Sequence, residues 1–295
     1  MKKKILTFGN KQIETENIKG ITSALSREKL FNKQGGQAFI NYFFLRDFLQ
    51  QMAQENTDMV ITGSTSSLVH APAFRIPTDL DIKTMQPEIV LELIKHLAAN
   101  QEIGKYDITQ EFQNRDTGVY GVKMKIDVKG VMGKVDFDIA PKPTQDARKG
   151  DLKKFISADE VFQVTVPPIE QAIAGKIGSI FDKFIMCYDS GKETHFRAKD
   201  LMDLYVLIRQ EGVDIEQVNE LLLQRFEKGV LYNRTRNYDA IKRARDDMNK
   251  EIPAGIDKAW NDFTRHTTIA EGIEKDAVAK GALQSINNLD LERGR

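Results

Sequence analysis

The chain of 295 residues has very little cysteine and histidine and no excess of charge of either sign. Its one cysteine, Cys187, excludes an intramolecular disulfide and a zinc site built from cysteines. The four histidines stand in no suggestive pattern and no Gly-x-Ser-x-Gly motif occurs, so neither a zinc site nor a serine hydrolase is indicated. Lysine plus arginine and aspartate plus glutamate both number 43. Any surface for nucleic acid must therefore be a local patch.

Long apolar runs are missing as well. No window approaches the roughly 18 uninterrupted apolar residues of a membrane span, and the first residues lack the apolar stretch of a signal peptide. We therefore expect a protein of the reducing cytoplasm with no membrane partner. Hydrophobic residues make up 41% of the chain, which permits a substantial core and argues against overall disorder.

The first part of the chain carries the signals of a mixed sheet with flanking helices. Residues 18–54 read as helical, and short or alternating apolar runs follow them. Strands are predicted at Met59–Thr62, Thr78–Lys83, Asp107–Phe112, Gly118–Val128 and Lys134–Ile139, and Val161–Val166 is a last strand or an extended link. The third, fourth and fifth of these alternate like neighbouring antiparallel strands, and Asp146–Gly150 reads as a polar loop.

The pattern becomes helical after Pro167-Pro168 and stays so to the charged tail. Asp239–Asn249 and Gly255–Thr264 read as two separate helices within this region. The predicted fold class is therefore α+β, with one domain at residues 1–166 and a helical C-terminal domain at residues 167–295.

Polar residues end the first predicted strand and occupy the second. The first strand ends at Gly63-Ser64, where a helix begins, and Asp79 and Asp81 lie on the second strand. Residues i and i+2 of a strand share a face, so both carboxylates can bind one cation, and Mg²⁺ prefers such oxygen ligands together with substrate phosphates. The turn offers backbone N–H groups and a hydroxyl at a helix start, which suits a triphosphate. This combination is the signature of the nucleotidyltransferase superfamily.

A third carboxylate normally completes such a site from a neighbouring strand. In the segment Lys134–Ile139 the apolar residues alternate with Asp136 and Asp138, which places both acids on one face. Asp127 lies in a similar alternating run and competes with them, and an exposed polar face of an edge strand is the plain alternative. Asp136 is the favoured third ligand, while Asp138 and Asp127 stay open.

Charged residues also stand out in the helical part. Lys176 lies in a small and apolar stretch, where a lysine is costly to bury without a partner unless it reaches solvent. Asp200 and Asp203 are three residues apart and share a helical face, which is equally typical of a capping and salt-bridge pattern. Since Lys176 and Asp200 lie on successive helices, these helices can pack antiparallel and bring the two residues together.

The whole pattern resembles the AbiEii/AbiGii nucleotidyltransferase toxins of abortive phage infection and type IV toxin–antitoxin systems. It consists of Gly-Ser, Arg-x-x-x-Asp-x-Asp, a helix with Ala-x-x-x-Lys and then Arg-x-Lys-Asp-x-x-Asp-Leu, and it spans roughly residues 39–207. One departure is Pro77, which stands where the family often has serine.

The resemblance implies roles for particular residues. The nucleotide would be held by Gly63, Ser64, Thr65 and Lys176, the last of them at the triphosphate. The metal would be held by Asp79 and Asp81, to which the strand alternation adds Asp136 as the favoured third ligand, and the catalytic set would be Asp79, Asp81, Lys176 and Asp200.

The resemblance also implies an activity. Two Mg²⁺ ions would assist transfer of a nucleoside monophosphate from an NTP to an acceptor hydroxyl, with release of pyrophosphate. The expected acceptor is an RNA, at the 3′ end of tRNA. The expected partner is a separately encoded antitoxin. Two alternatives remain: the same chemistry on a small molecule of antibiotic type, and a non-catalytic module that binds nucleotide or RNA.

Overall fold

A five-stranded sheet is the main sheet of this computed structural model. The structure describes residues 4–8, 11–15, 45, 48–49, 52, 58–71, 75, 77–99, 105–128, 131–141, 148–151, 163–190, 196–227, 238–266, 269 and 272–290. The described strands are β1 (Lys4–Phe8), β2 (Lys11–Thr15), β3 (Val60–Thr62), β4 (Asp79–Lys83), β5 (Lys105–Gln113), β6 (Tyr120–Val128), β7 (Val131–Ala140), β8 (Arg148–Asp151) and β9 (Gln163–Val166). The chain divides into two units, Met1–Pro168 with His266–Glu271 and Ile169–Arg265 with Gly272–Arg295. We propose that these units correspond to the two predicted domains.

The main sheet has the strand order β3-β4-β7-β6-β5. Strands β4 and β7 are parallel, and every other neighbouring pair in this sheet is antiparallel. The prediction of a mixed sheet, with β5, β6 and β7 as antiparallel neighbours, is therefore confirmed. The first unit also contains helices α1 (Gly63–His70) and α2 (Pro87–Ala99).

The core of the first unit lies against one face of this sheet. Val135, Phe137 and Ile139 of β7 are buried there, so the residues between them point to the opposite face. Burying a side chain such as that of Phe137 stabilises the fold by about 1.5–3 kcal/mol. A slip of one residue would expose these side chains and bury Asp136 and Asp138, so the hydrophobic pattern fixes the register of β7. The aspartates are thereby held on the open face.

Helical residues cover the apolar face of the sheet. Helix α2 buries a stripe with helical spacing, made of Val90, Leu91, Ile94, Leu97 and Ala98. The described residues within the predicted helical region 18–54 are Leu45, Phe48, Leu49 and Met52, all buried, and the remainder of that region lies outside the described residues. The ring of Phe48 packs on that of Phe137, with centroids 5.1 Å apart.

The second unit consists of helices in its described part. They are α3 (Ile169–Ser190), α4 (Ala198–Leu207), α5 (Ile215–Glu227), α6 (Tyr238–His266) and α7 (Lys275–Asn287). Helix α3 packs on α4 and α5, and α4 packs on α7. Phe181 of α3 and Phe226 of α5 meet edge to face with centroids 5.4 Å apart. No described helix is long and apolar enough to span a membrane.

The sequence interpretation was wrong about α6. The two helices predicted at Asp239–Asn249 and Gly255–Thr264 are one continuous helix with Pro253 inside it. A proline inside a helix typically costs about 3 kcal/mol. The buried stripe nevertheless runs through the proline without a change of spacing, because it is formed by Ile241, Ala244, Met248, Ile252 and Ile256. Burial of this continuous face outweighs the local preference to break.

Two short pairs of strands also depart from the sequence interpretation. Part of the predicted polar loop Asp146–Gly150 belongs to strand β8. This strand pairs antiparallel with the extended backbone of β9, where Val164 and Val166 lie. Strands β1 and β2 form an antiparallel pair that the sequence interpretation did not include. The predicted hairpin turn at Lys129-Gly130 lies outside the described residues.

Candidate active site

Hydroxyl groups tie the turn between β3 and α1 to strand β4. Thr62 Oγ1 donates a hydrogen bond to the carbonyl oxygen of Asp81 at 3.3 Å, and Thr65 Oγ1 donates to that of Asp79 at 3.0 Å. Thr62 makes no side-chain hydrogen bond that caps α1. The start of α1 is thus fixed beside the two aspartates, while its first backbone N–H groups are not occupied by the capping side chain.

The predicted nucleotide-binding serine contacts a predicted metal ligand. Ser64 Oγ donates a hydrogen bond to Asp79 Oδ1 at 2.9 Å. Ser64 itself is buried, so this hydrogen bond has little competition from water. The bond orients Asp79 Oδ1 toward α1, and Oδ2 takes no part in it.

Gly63 allows α1 to approach Asp81 closely. Its φ is +64°, a backbone region that costs residues with a Cβ atom about 1–2 kcal/mol. A Cβ atom built at residue 63 would lie only 1.7 Å from Asp81 Oδ2. Glycine is therefore required here for its backbone conformation and for the space that the Asp81 carboxylate occupies.

The parallel pairing of β4 and β7 brings four aspartates together. Asp79 is the register partner of Asp136, and Asp81 is the register partner of Asp138. Residues in register on neighbouring strands point to the same face, so all four side chains lie on the open face. Desolvation raises the pKa of Asp138, and the nearby charges of Asp79 and Asp136 raise it further, while Lys123 opposes them. The raised pKa of Asp138 therefore reflects its burial first and the neighbouring negative charge second.

The register also separates the three candidates for the third carboxylate. Asp136 and Asp138 lie beside the first pair, whereas Asp127 of β6 is the register partner of Met132, four positions from Asp136 along β7. At about 3.3 Å per residue this places Asp127 roughly 13 Å along the strand from the acidic cluster. The structure therefore brings Asp136 and Asp138 together with Asp79 and Asp81, and leaves Asp127 apart.

The donor chemistry of this cluster fits a divalent cation. Asp136 Oδ2 lies 3.0 Å from Lys134 Nζ, but its Oδ1 is buried and accepts no hydrogen bond within the described residues. A buried carboxylate oxygen without a partner is costly, and a cation would offset that cost. Across the described residues, no three Asp, Glu, His or Cys side chains converge as a preformed metal site does.

A buried ionic cluster occupies the second unit. Lys176 Nζ of α3 lies 2.6 Å from Asp203 Oδ2 and 3.7 Å from Asp200 Oδ1, both on α4. Arg197 Nε lies 2.6 Å from Asp200 Oδ2. The side chains of Lys176, Asp200 and Asp203 are 12%, 4% and 0% exposed. Lys176 and Asp200 therefore meet, as their positions on successive helices suggested.

Asp203 is the member of this cluster that the sequence interpretation left out of the site. It makes the shorter contact to Lys176, while Asp200 makes its own shorter contact to Arg197. The sequence did indicate that Asp203 is buried, because Asp200 and Asp203 are three residues apart on a helical face that also buries Leu204 and Leu207. The spacing alone could not say which acid would meet the lysine.

Replacement of Lys176 by methionine tests whether this cluster is a true buried ion pair. We expect Lys176→Met to lower the free energy of unfolding by about 3–5 kcal/mol, because the charge of Asp203 would stay buried without its partner. Chemical denaturation of the purified variant measures the change. The double variant Lys176→Met/Asp203→Leu should recover much of the loss, because it removes both charges.

Lys183→Met on the same helix is the matched control, and it should change the free energy of unfolding by no more than about 0.5 kcal/mol. Lys183 is only partly buried. Equal stability of Lys176→Met and the control would contradict a buried pair and leave a solvated salt bridge.

Comparison with known proteins places the chain in a family. The family model described as "Nucleotidyl transferase AbiEii toxin, Type IV TA system" matches residues 47–279. No curated protein sequence matches the chain. A proposed nucleotidyltransferase from Helicobacter pylori, known from its crystal structure, is similar in fold, with a TM-score of 0.54 and 18% identity over 88% of this chain and 98% of that one. The crystal structure of JHP933 from Helicobacter pylori gives a TM-score of 0.54 and 17% identity over 87% of this chain and 94% of that one.

These two structures share the fold with this chain, and the family model matches most of its length. The matched region includes the turn at Gly63, the four aspartates and the cluster around Lys176. The chain therefore belongs to the AbiEii family of nucleotidyltransferase toxins of type IV toxin–antitoxin systems.

Proposed function

We propose that this toxin transfers a nucleoside monophosphate from an NTP to a hydroxyl at the 3′ end of a tRNA and releases pyrophosphate. The observation that carries the proposal is the register of β4 with β7, which gathers Asp79, Asp81, Asp136 and Asp138 beside the start of α1. Carboxylates next to the N–H groups at the start of a helix suit a triphosphate and its counter-ions. Membership of a family of type IV toxins also implies an antitoxin partner. We propose that the toxin acts in the cytoplasm.

The acidic cluster would hold the metal. Asp79, Asp81 and Asp136 are the proposed ligands, and Asp138 is the reserve candidate beside them. Divalent ions, Mg²⁺ in this proposal, would supply charge neutralisation of the triphosphate and activation of the acceptor hydroxyl. Ser64 keeps Asp79 oriented through its hydrogen bond, and Gly63 leaves room for the Asp81 carboxylate.

The start of α1 would receive the phosphates. Gly63, Ser64 and Thr65 form its first turn, where backbone N–H groups point out of the helix end. The Thr65 hydroxyl is engaged with the backbone of β4, so its role is to fix the turn while the N–H groups contact phosphate.

Lys176 would contribute positive charge to the triphosphate. Its ammonium group is held by Asp203 and Asp200, and Arg197 holds Asp200 in turn. An ammonium group that is fixed before substrate arrives loses little freedom when it contacts phosphate. In this arrangement Asp200 acts as a positioning residue for the lysine, which agrees with its expected importance to the family.

Transfer of labelled nucleotide tests the function. The purified protein is incubated with each NTP labelled at the α-phosphate, Mg²⁺ and either total RNA or small hydroxylated compounds. We expect label in RNA, loss of labelling with EDTA, and loss of labelling after periodate destroys the 3′-terminal diol of the RNA.

The alternatives give other outcomes. Label in small compounds only would support the antibiotic-type transferase. NTP binding without transfer to any acceptor would indicate the non-catalytic module, and labelling that survives periodate would contradict attack by the 3′ end.

A further inference from the structure

An exposed aromatic ring lies on the face of the sheet that carries the four aspartates. Phe112 of β5 is 42% exposed, and its ring covers Gly121 of β6, its partner in the strand register. A Cβ atom built on Gly121 would lie 2.1 Å from Phe112 Cζ and 2.4 Å from Cε1. The ring can therefore lie this close to β6 only because residue 121 is glycine.

The ring is close to the acidic cluster. Gly121 is the register partner of Asp138 on β7, and Asp138 is the register partner of Asp81 on β4. Neighbouring strands lie about 4.8 Å apart, so a ring that covers β6 is one strand away from the carboxylates. An exposed aromatic surface therefore lies next to the acidic cluster.

Two lysines extend this surface along β6. Lys123 and Lys125 alternate with the buried residues of β6, so they share the face of Gly121. Their acidic register partners each form an ion pair with a different lysine, at 3.0 Å for Asp136–Lys134 and 3.1 Å for Asp107–Lys105. Lys123 and Lys125 therefore add positive charge beside the ring, and the charge of Lys123 also acts on Asp138 of the acidic cluster. The chain as a whole has no net charge.

We propose that Phe112, Gly121, Lys123 and Lys125, here named the β5–β6 face, bind the single-stranded end of the RNA acceptor. A base stacks on the Phe112 ring and the lysines contact the phosphates that follow it. Aromatic rings interleaved with cations are the usual means of binding single-stranded nucleic acid, because every base has a π-face and every nucleotide a phosphate. The inference rests on the proposed function, since it assigns the acceptor of that reaction to a surface.

Substitution of the ring tests the stacking directly. Phe112→Ala should raise the Kd for a short single-stranded RNA about tenfold, and Phe112→Trp should keep wild-type affinity. Trp260 is the only tryptophan of the chain. In a Trp260→Phe background, the Phe112→Trp variant therefore carries one reporter, whose fluorescence should be quenched when RNA stacks on it. Gly121→Ala should weaken binding in the same direction, because its Cβ displaces the ring.

Salt dependence tests the lysines. Lys125→Gln should reduce the slope of log Kd against log salt concentration by about one, as expected for the loss of one phosphate contact. Lys95→Gln on α2 is the matched control, because α2 covers the opposite face of the sheet and Lys95 is already paired with Glu92 and Glu111. Ile89→Ala on α2 is the control for an exposed apolar side chain. Both controls should bind RNA as the wild type does.

The outcomes separate this inference from the proposed function. Wild-type RNA affinity in Phe112→Ala, together with an unquenched reporter, overturns the β5–β6 face even if transfer to RNA occurs. A fall in NTP affinity with unchanged RNA affinity also overturns it, because the ring would then belong to the nucleotide. RNA binding that depends on Phe112 and Lys125 supports the face even if no nucleotide is transferred, in which case only the proposed reaction fails.

Discussion

Asp81→Asn is expected to lower nucleotide transfer by more than about 100-fold, since even groups that only support metal ligands are worth 10–100-fold. Asparagine keeps the size of the side chain but removes the negative charge that a divalent cation requires. Transfer of α-labelled nucleotide to RNA measures the effect. The fold should survive, because the substitution also removes repulsion between Asp81 and the neighbouring carboxylates.

Asp127→Asn is the matched control for this prediction. It makes the same chemical change on the same face of the sheet, roughly 13 Å along the strand from the acidic cluster. Transfer should stay near the wild-type rate in this variant. A folded Asp81→Asn protein that transfers nucleotide as fast as Asp127→Asn does would refute the metal role of Asp81.

Gly63→Ala is expected to remove activity by a different route. The new Cβ would lie 1.7 Å from Asp81 Oδ2, so either the carboxylate or the start of α1 has to move. Displacements near 1 Å at a reacting centre can cost about 100-fold in rate. The positive φ of residue 63 adds about 1–2 kcal/mol of backbone strain. Transfer rate and chemical denaturation together measure the two effects.

Gly212→Ala separates the strain from the clash. Gly212 has a φ of +79°, and a Cβ built there meets nothing within 4 Å. This variant should lose about 1–2 kcal/mol of stability and keep its transfer rate. If Gly63→Ala behaves in the same way, the contact with Asp81 has no catalytic consequence, and Gly63 serves only the backbone turn.

Part of the acidic site could be predicted from the sequence, because the face on which a strand residue lies follows from alternation along that strand. Asp79 and Asp81 share a strand face by simple alternation, and the same alternation makes Phe137 buried and Asp136 open. The sequence alone could not show which aspartate lies beside this pair as the third carboxylate. Asp127 alternates equally well, and only the pairing of distant strands places it away from the cluster.

Partners in the second unit were harder to predict for the same reason. Helical spacing placed Asp200 and Asp203 on one face, but the 2.6 Å contact of Lys176 with Asp203 depends on how α3 and α4 pack. Local signals were misleading around Pro253, where two separate helices were predicted and the buried stripe keeps one helix intact. Phe112 carried no sequence signal, because its exposure over Gly121 depends on the pairing of β5 with β6.

The parallel pairing of β4 with β7 has a consequence for synthesis on the ribosome. All of α2, β5 and β6 lies between the two strands in the chain, so their pairing is a long-range contact that closes late in folding. A nascent chain that ends before β7 carries Asp79 and Asp81 but not Asp136. Unfinished copies of this toxin that end before β7 therefore lack the assembled acidic cluster.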